Sequence, residues 1–173
     1  MKYFHTTIFS IVIACLSGCV GVPEYKQNAN NSNGAYIVPT LTTEKLLSGA
    51  ATVDVINGPA VCGEKYPDPK RIFRLAQGNP LISSLNPEGA WVPSAVPINI
   101  VVLVLMDGVY CGQAFSFRPE HGGKYRLDIK GKSSFSQYIP PTCEILVSKI
   151  DGAGKDLGPA PEFRPLACIE KAK

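Results

Sequence analysis

The chain has 173 residues and carries 17 Lys and Arg against 14 Asp and Glu, a formal net charge of +3 at pH 7. So even a balance argues against a nucleic-acid partner, which calls for a clustered basic surface, and the length suits one ordinary domain with a sizeable core. With 16 Gly, 15 Pro and short apolar runs rich in Val, Ile, Phe and Tyr, the composition predicts a turn-rich β-domain.

At the N-terminus, Met1 to Thr7 has Lys2 as its only full charge, Ile8 to Leu16 is almost continuously apolar, and the small residues Ser17 and Gly18 lead into Cys19. This is the three-part pattern of a secretory signal. An apolar run of about nine residues falls well short of the roughly 20 that a membrane-spanning helix needs. The segment "LSGC", Leu16 to Cys19, resembles the bacterial lipobox. The resemblance implies cleavage before Cys19, a diacylglycerol thioether on its sulfur and acylation of the new amine, palmitate serving as a typical chain. Cys15 would leave with the signal. One chain holds a bilayer weakly, whereas two or three hold it stably, at about 0.8 kcal/mol per buried methylene. Val20 follows the cysteine. By resemblance to enterobacterial sorting, the lack of Asp there implies the outer membrane, with the domain facing the periplasm. An ordinary leader with a coincidental cysteine is the competing reading.

Three segments follow from this: a signal peptide over 1–18, a lipidated N-terminus and flexible tether over 19–41, and a β-sandwich over 42–173. The tether is assigned from "QNANNSNGA", which is polar and without hydrophobic period. "TTEKLLSG", Thr42 to Gly49, can begin a short helix with a Thr cap and a Gly stop. Strand signals then run in order: "ATVDVI", "RIFRLA", "INIVVLVLM", "QAFSFRP", "KYRLDIKG", "CEILVSKI" and a last strand near Phe163 to Ile169. The β-branched run from Ile98 predicts a central strand covered on both faces. "DGVYCG", "EHGGK" and "DGAGKD" read as Gly-rich turns closing successive hairpins.

In "FRPEHGGKYRLDI", Gly123 two residues before Tyr125 at a strand start resembles the tyrosine corner of Greek-key sandwiches; a plain hairpin with a core Tyr is the alternative. Both give a sandwich, and the expected fold is an all-β, Greek-key or immunoglobulin-like β-sandwich of about seven strands. Cys111, "FSFRPEHGGKY" and the "CEILV" that opens at Cys143 together resemble small disulfide-containing β-sandwich lipoproteins of Gram-negative bacteria, over about a third of the chain. Most of those have no assigned activity.

Apart from Cys15 and Cys19, four cysteines remain: Cys62, Cys111, Cys143 and Cys168. An even number in an oxidising compartment reads as two disulfides. If the strands after Cys111 run up, down and up, Cys111 and Cys143 meet at one end of the sandwich and Cys62 is left with Cys168. With no C-x-x-C pair and His121 the single histidine after the signal, neither a metal site nor a cofactor is expected. His121 lies in a Gly-rich turn, a poor platform for a Ser-His-Asp constellation. "DGAGKDLG" lacks the first Gly and the Ser or Thr of a phosphate loop. No enzymatic turnover is expected.

The candidate binding residues are Lys124, Arg126 and Lys130, which alternate along one face of a strand, with Arg118 across the turn; Asp128 interrupts the row. They form either a solvated strand face or a dock for an acidic partner. Trp91, followed by Val92 and Pro93, is a second candidate, as a recognition loop or as core. The resulting expectation is a non-catalytic, outer-membrane-anchored binding or structural module with an envelope protein or peptidoglycan as possible partner. The alternative is an inhibitor of a cell-wall hydrolase, because "GGKY" is similar to the inserted loop of periplasmic lysozyme inhibitors.

Overall fold

The computed structural model describes residues 21–27, 33–44, 49–56, 68–77, 82–106, 109–132 and 142–166. Cys19, Cys62 and Cys168, each assigned a role from sequence, lie outside them. The described residues form ten strands and no helix: β1 (Ala35–Glu44), β2 (Gly49–Ile56), β3 (Lys70–Gln77), β4 (Ala90–Val92), β5 (Ile98–Met106), β6 (Val109–Phe117), β7 (Lys124–Lys132), β8 (Thr142–Ile150), β9 (Asp156–Pro159) and β10 (Arg164–Pro165). Two five-stranded sheets pack face to face, one in the order β4-β1-β7-β8-β9 and the other β10-β6-β5-β2-β3.

Period-2 alternation places the core. In the first sheet β7 turns Tyr125, Leu127 and Ile129 inward and β8 turns Ile145 and Val147 inward, all buried. From the second sheet come Ile98, Ile100, Val102, Val104 and Met106 of β5, with Phe115 and Phe117 of β6 beside them. Each such side chain contributes roughly 1.5–3 kcal/mol of burial, and together they form one continuous cluster between the sheets. Phe117 meets Tyr125 edge-on across the gap, with ring centroids 5.4 Å apart. Gly131 faces inward where a Cβ would strike the Met106 sulfur, so the sheets approach closely at that end.

Several expectations need correction. Thr42, Thr43 and Glu44 belong to β1, not to a helix, because β1 runs parallel to β7 over its whole length, from Tyr36 opposite Lys124 to Glu44 opposite Lys132. The domain boundary drawn at residue 42 therefore falls inside a strand: Ala35 and Ile37, placed in the tether, are fully buried. Even Pro23 to Tyr25 join the fold, since the Tyr25 N–H donates to the Arg71 carbonyl and the Arg71 N–H to the Pro23 carbonyl, both at 2.8 Å. This cross-pairing and a second bridge, Arg74 with Leu85, occupy the outer edge of β3 and leave less open strand for unwanted pairing. "EHGGK" closes no hairpin; it carries the chain from β6 in one sheet to β7 in the other. "DGVYCG" and "DGAGKD" do join antiparallel neighbours, β5 with β6 and β8 with β9. The strand count exceeds seven because β1 lay under the tether and helix assignments, while β4 and β9, at three and four residues, are too short to show a period; of the last strand expected near Phe163 to Ile169, the described residues form only the two-residue β10.

Candidate functional site

The Cys111–Cys143 disulfide ties β6 of one sheet to β8 of the other, with Cα atoms 6.1 Å apart. The two cysteines do meet at one end of the sandwich, beside the closely packed Gly131, which lies opposite Cys143 in the β7–β8 register. A depression of about 290 Å³ opens next to them, between Thr42, Lys130 and Glu144.

The basic row on β7 is present on the outer face of the first sheet, but its charges are largely matched. Arg126 donates to Asp128 at 2.9 Å and to Asp156 at 3.1 Å. The hydrogen bond from Arg126 to Asp128 and the negative charge there hold the guanidinium above its ordinary pKa. Asp156 is held below the usual carboxylate value, first by the Gly158 N–H and then by Ser148, with Arg126 adding to the effect. Thr40 donates to Asp128 at 2.6 Å from the neighbouring β1. Lys130 faces Glu144 and Arg118 faces Glu162, each at 3.5 Å. These are exposed pairs, worth about 0–1 kcal/mol each. Lys124 is exposed and, among the described residues, has no carboxylate at ion-pair distance. Sequence missed this matching because Asp156, Glu144 and Glu162 reach the row from other segments of the chain.

Trp91 is a strand residue rather than the tip of a loop. It sits on β4, at the edge of the first sheet, with its ring 5.1 Å from Tyr36 and its backbone N–H donated to the Gln27 side chain at 3.2 Å. It is 36% exposed, whereas Val92 beside it is fully buried in the core. His121 is exposed in its turn, and Ser94, whose Oγ lies 3.5 Å from the imidazole, donates its proton to the Asn33 carbonyl at 2.5 Å. That hydroxyl is committed to the backbone. Tyr125 is fully buried, and its phenol accepts the Glu120 N–H at 2.8 Å. Burial pushes its pKa up, against the lowering effect of that hydrogen bond. The "GGKY" segment thus presents Lys124 to solvent and keeps its tyrosine inside.

The most site-like surface was not anticipated. The run from Ile98 is not covered on both faces: Leu103 and Leu105 point outward and are 44% and 49% exposed. Cross-strand register builds two rungs there. One is Ala76, Ala50, Leu105 and Tyr110; the other is Arg74, Thr52, Leu103 and Gly112. The small residues of β2 form the floor of a trough of about 470 Å³, walled on one side by Leu103, Leu105 and Tyr110 and bordered on the other by Arg74 and Ile82. Gly112 is part of the shape, since a Cβ there would lie 2.7 Å from the Leu103 side chain. One rung further along, Arg71 grips Asp54 through two hydrogen bonds of 2.7 and 3.0 Å, giving the trough a polar boundary. From that rung onward the same face is closed again, by Val101 and Ala114 beside Asp54 and by Ile56 and Leu166 next to them. The signal for an open face lay in β2 and β6, where Ala50, Thr52 and Gly112 are too small to cover the leucines between them.

Among the described residues no group of three or more His, Cys, Asp or Glu is placed to hold a metal ion. Among the same residues no helix is long and apolar enough to cross a membrane. Comparison of the chain with protein-family models, with curated proteins and with solved structures gave no match in any of the three.

Proposed function

We propose that the protein is an envelope lipoprotein, anchored in the outer membrane through an acylated Cys19, whose β-sandwich is a non-catalytic binding or structural module of the periplasm. The observation that carries the reading is the disulfide between Cys111 and Cys143 in a chain that opens with an apolar stretch and "LSGC", because stable disulfides belong to oxidising compartments. The second disulfide, Cys62 with Cys168, is part of the proposal. Ile56 and Leu166 pack in one apolar cluster, and they stand six and two residues before Cys62 and Cys168. The Greek-key, immunoglobulin-like assignment belongs here too, supported by the Tyr125 phenol reaching back to Glu120 at a crossing between sheets.

The binding reading draws on the trough over β2, an open apolar concavity on the outer face of the second sheet. A protein that binds without turnover needs such a surface and no base, nucleophile or metal tuned to a reaction. Crosslinking in intact cells, with the captured partner identified by mass spectrometry, tests the reading. Capture by the wild-type chain that is lost on Cys19→Ala supports an anchored module. Undiminished capture by a soluble Cys19→Ala chain removes the anchor from the account, and inhibition of lysozyme by the purified chain would favour the hydrolase-inhibitor reading.

A further inference from the structure

We infer that the trough on the outer face of the second sheet binds a long-chain fatty-acid anion, its alkyl chain lying over Ala50 and Thr52 against Leu103, Leu105 and Tyr110, and its carboxylate at Arg74. The inference rests on the binding-module reading and names the ligand class of that site.

Three features select an alkyl chain over a protein partner. The trough holds about 470 Å³, within the range of small-molecule sites, roughly 300–1,000 Å³. Its floor and the leucine wall offer no free backbone: over the length of the trough β2 and β5 are each paired with strands on both sides, so their N–H and C=O groups are spent within the sheet. An extended peptide laid there would have its own backbone groups unsatisfied, whereas an alkyl chain has none to satisfy. Of the large exposed apolar side chains, three line the trough, Leu103, Leu105 and Tyr110, a small patch beside the ~800 Å² per partner of a stable interface between copies.

Charge selects the head group. Among the described residues that line the trough, Arg74 is the one charged side chain. Its guanidinium has the Ser83 hydroxyl at 3.4 Å, and no carboxylate lies at ion-pair distance among the described residues. The neighbouring Arg71 is already matched by Asp54. A carboxylate suits a guanidinium geometrically, through paired N–H donors.

The test uses the full-length chain in phosphatidylcholine nanodiscs with a diazirine-bearing hexadecanoic acid as photoreactive probe, the labelled residues being mapped by peptide mass spectrometry. Label should concentrate in peptides covering β2 and the β5–β6 pair. Hexadecanoate should compete at least about tenfold better than hexadecyltrimethylammonium, the ratio expected of one charge-assisted contact. Arg74→Glu should erase that preference. Leu105→Glu should abolish the labelling with its circular dichroism and thermal midpoint unchanged, since the position is exposed. Label scattered over the domain, equal competition by the anion and the cation, or photocrosslinks joining this face of two copies would each overturn the inference. Loss of labelling with lipidation and cellular capture intact would mean a wrong ligand class; labelling that persists in a chain never lipidated at Cys19 would mean a wrong cellular placement.

Discussion

Replacing Tyr125 by Phe removes one oxygen from a fully buried side chain and leaves its packing on Phe117, 5.4 Å away, in place. The lost group is the acceptor for the Glu120 N–H, 2.8 Å away at the crossing from β6 to β7. Leaving a part-buried donor without its partner costs about 1–2 kcal/mol. For a chain of this size that lowers the thermal midpoint by about 2–8 °C. Urea denaturation under non-reducing conditions should show a lower midpoint with an unchanged slope. Tyr110→Phe is the control: this residue is 66% exposed, and the change should stay within about 0.5 kcal/mol. Alkaline pH gives a second readout. Burial raises the Tyr125 pKa above its ordinary 10.0, so the native state favours the neutral phenol. The stability this contributes is fully present below pH 10.0 and is lost as pH rises through the higher folded value. Tyr125→Phe should therefore flatten part of the loss of stability above that pH. A variant no less stable than Tyr110→Phe, with the same alkaline profile as wild type, would refute the role given to this hydrogen bond.

Arg71→Met leaves Asp54, its side chain 11% exposed, without its two donors, and should destabilise by about 2–4 kcal/mol, slightly below the range for fully buried pairs; chemical denaturation reads it. Replacing both Cys111 and Cys143 by Ser opens a loop with a sequence separation of 32, which loop entropy values at about 3.5–4 kcal/mol, and the thermal midpoint should fall accordingly. Arg126→Glu sets a third carboxylate beside Asp128 and Asp156 and should cost about 1 kcal/mol or more, whereas Lys124→Glu on the same strand should stay within about 0.5 kcal/mol, both measured by urea midpoint.

What sequence made legible was whatever depended on a single strand. The alternation of Tyr125, Leu127 and Ile129, and of Phe115 and Phe117, identified β7, β6 and the faces they bury, because side-chain period alone decides it. What depended on neighbours was hidden. Polar Thr40, Thr42 and Thr43 read as tether or helix start, yet they form β1 because β7 offers it a parallel partner. The uninterrupted run Val101 to Met106 masked a one-sided strand, since its apolar outer residues Leu103 and Leu105 look the same whether a neighbour covers them or not. Whether one does was set by Ala50 and Thr52, some 50 residues earlier in the chain. The Cys111–Cys143 pairing was legible because both residues lie near the starts of strands separated by one intervening strand, so that a chain running up, down and up brings them to the same end. The matching of Arg126 by Asp156 was not, because it arises through β9, a four-residue strand with no sequence period.

Anchoring through Cys19 is read from the intact mass of the protein extracted from membranes. A lipidated protein should begin at Cys19 and carry the added mass of a diacylglycerol and an amide-linked acyl group, with label from an alkyne-tagged palmitate that disappears in Cys19→Ala. A soluble product, or one whose mass shows an unmodified Cys19, would contradict it.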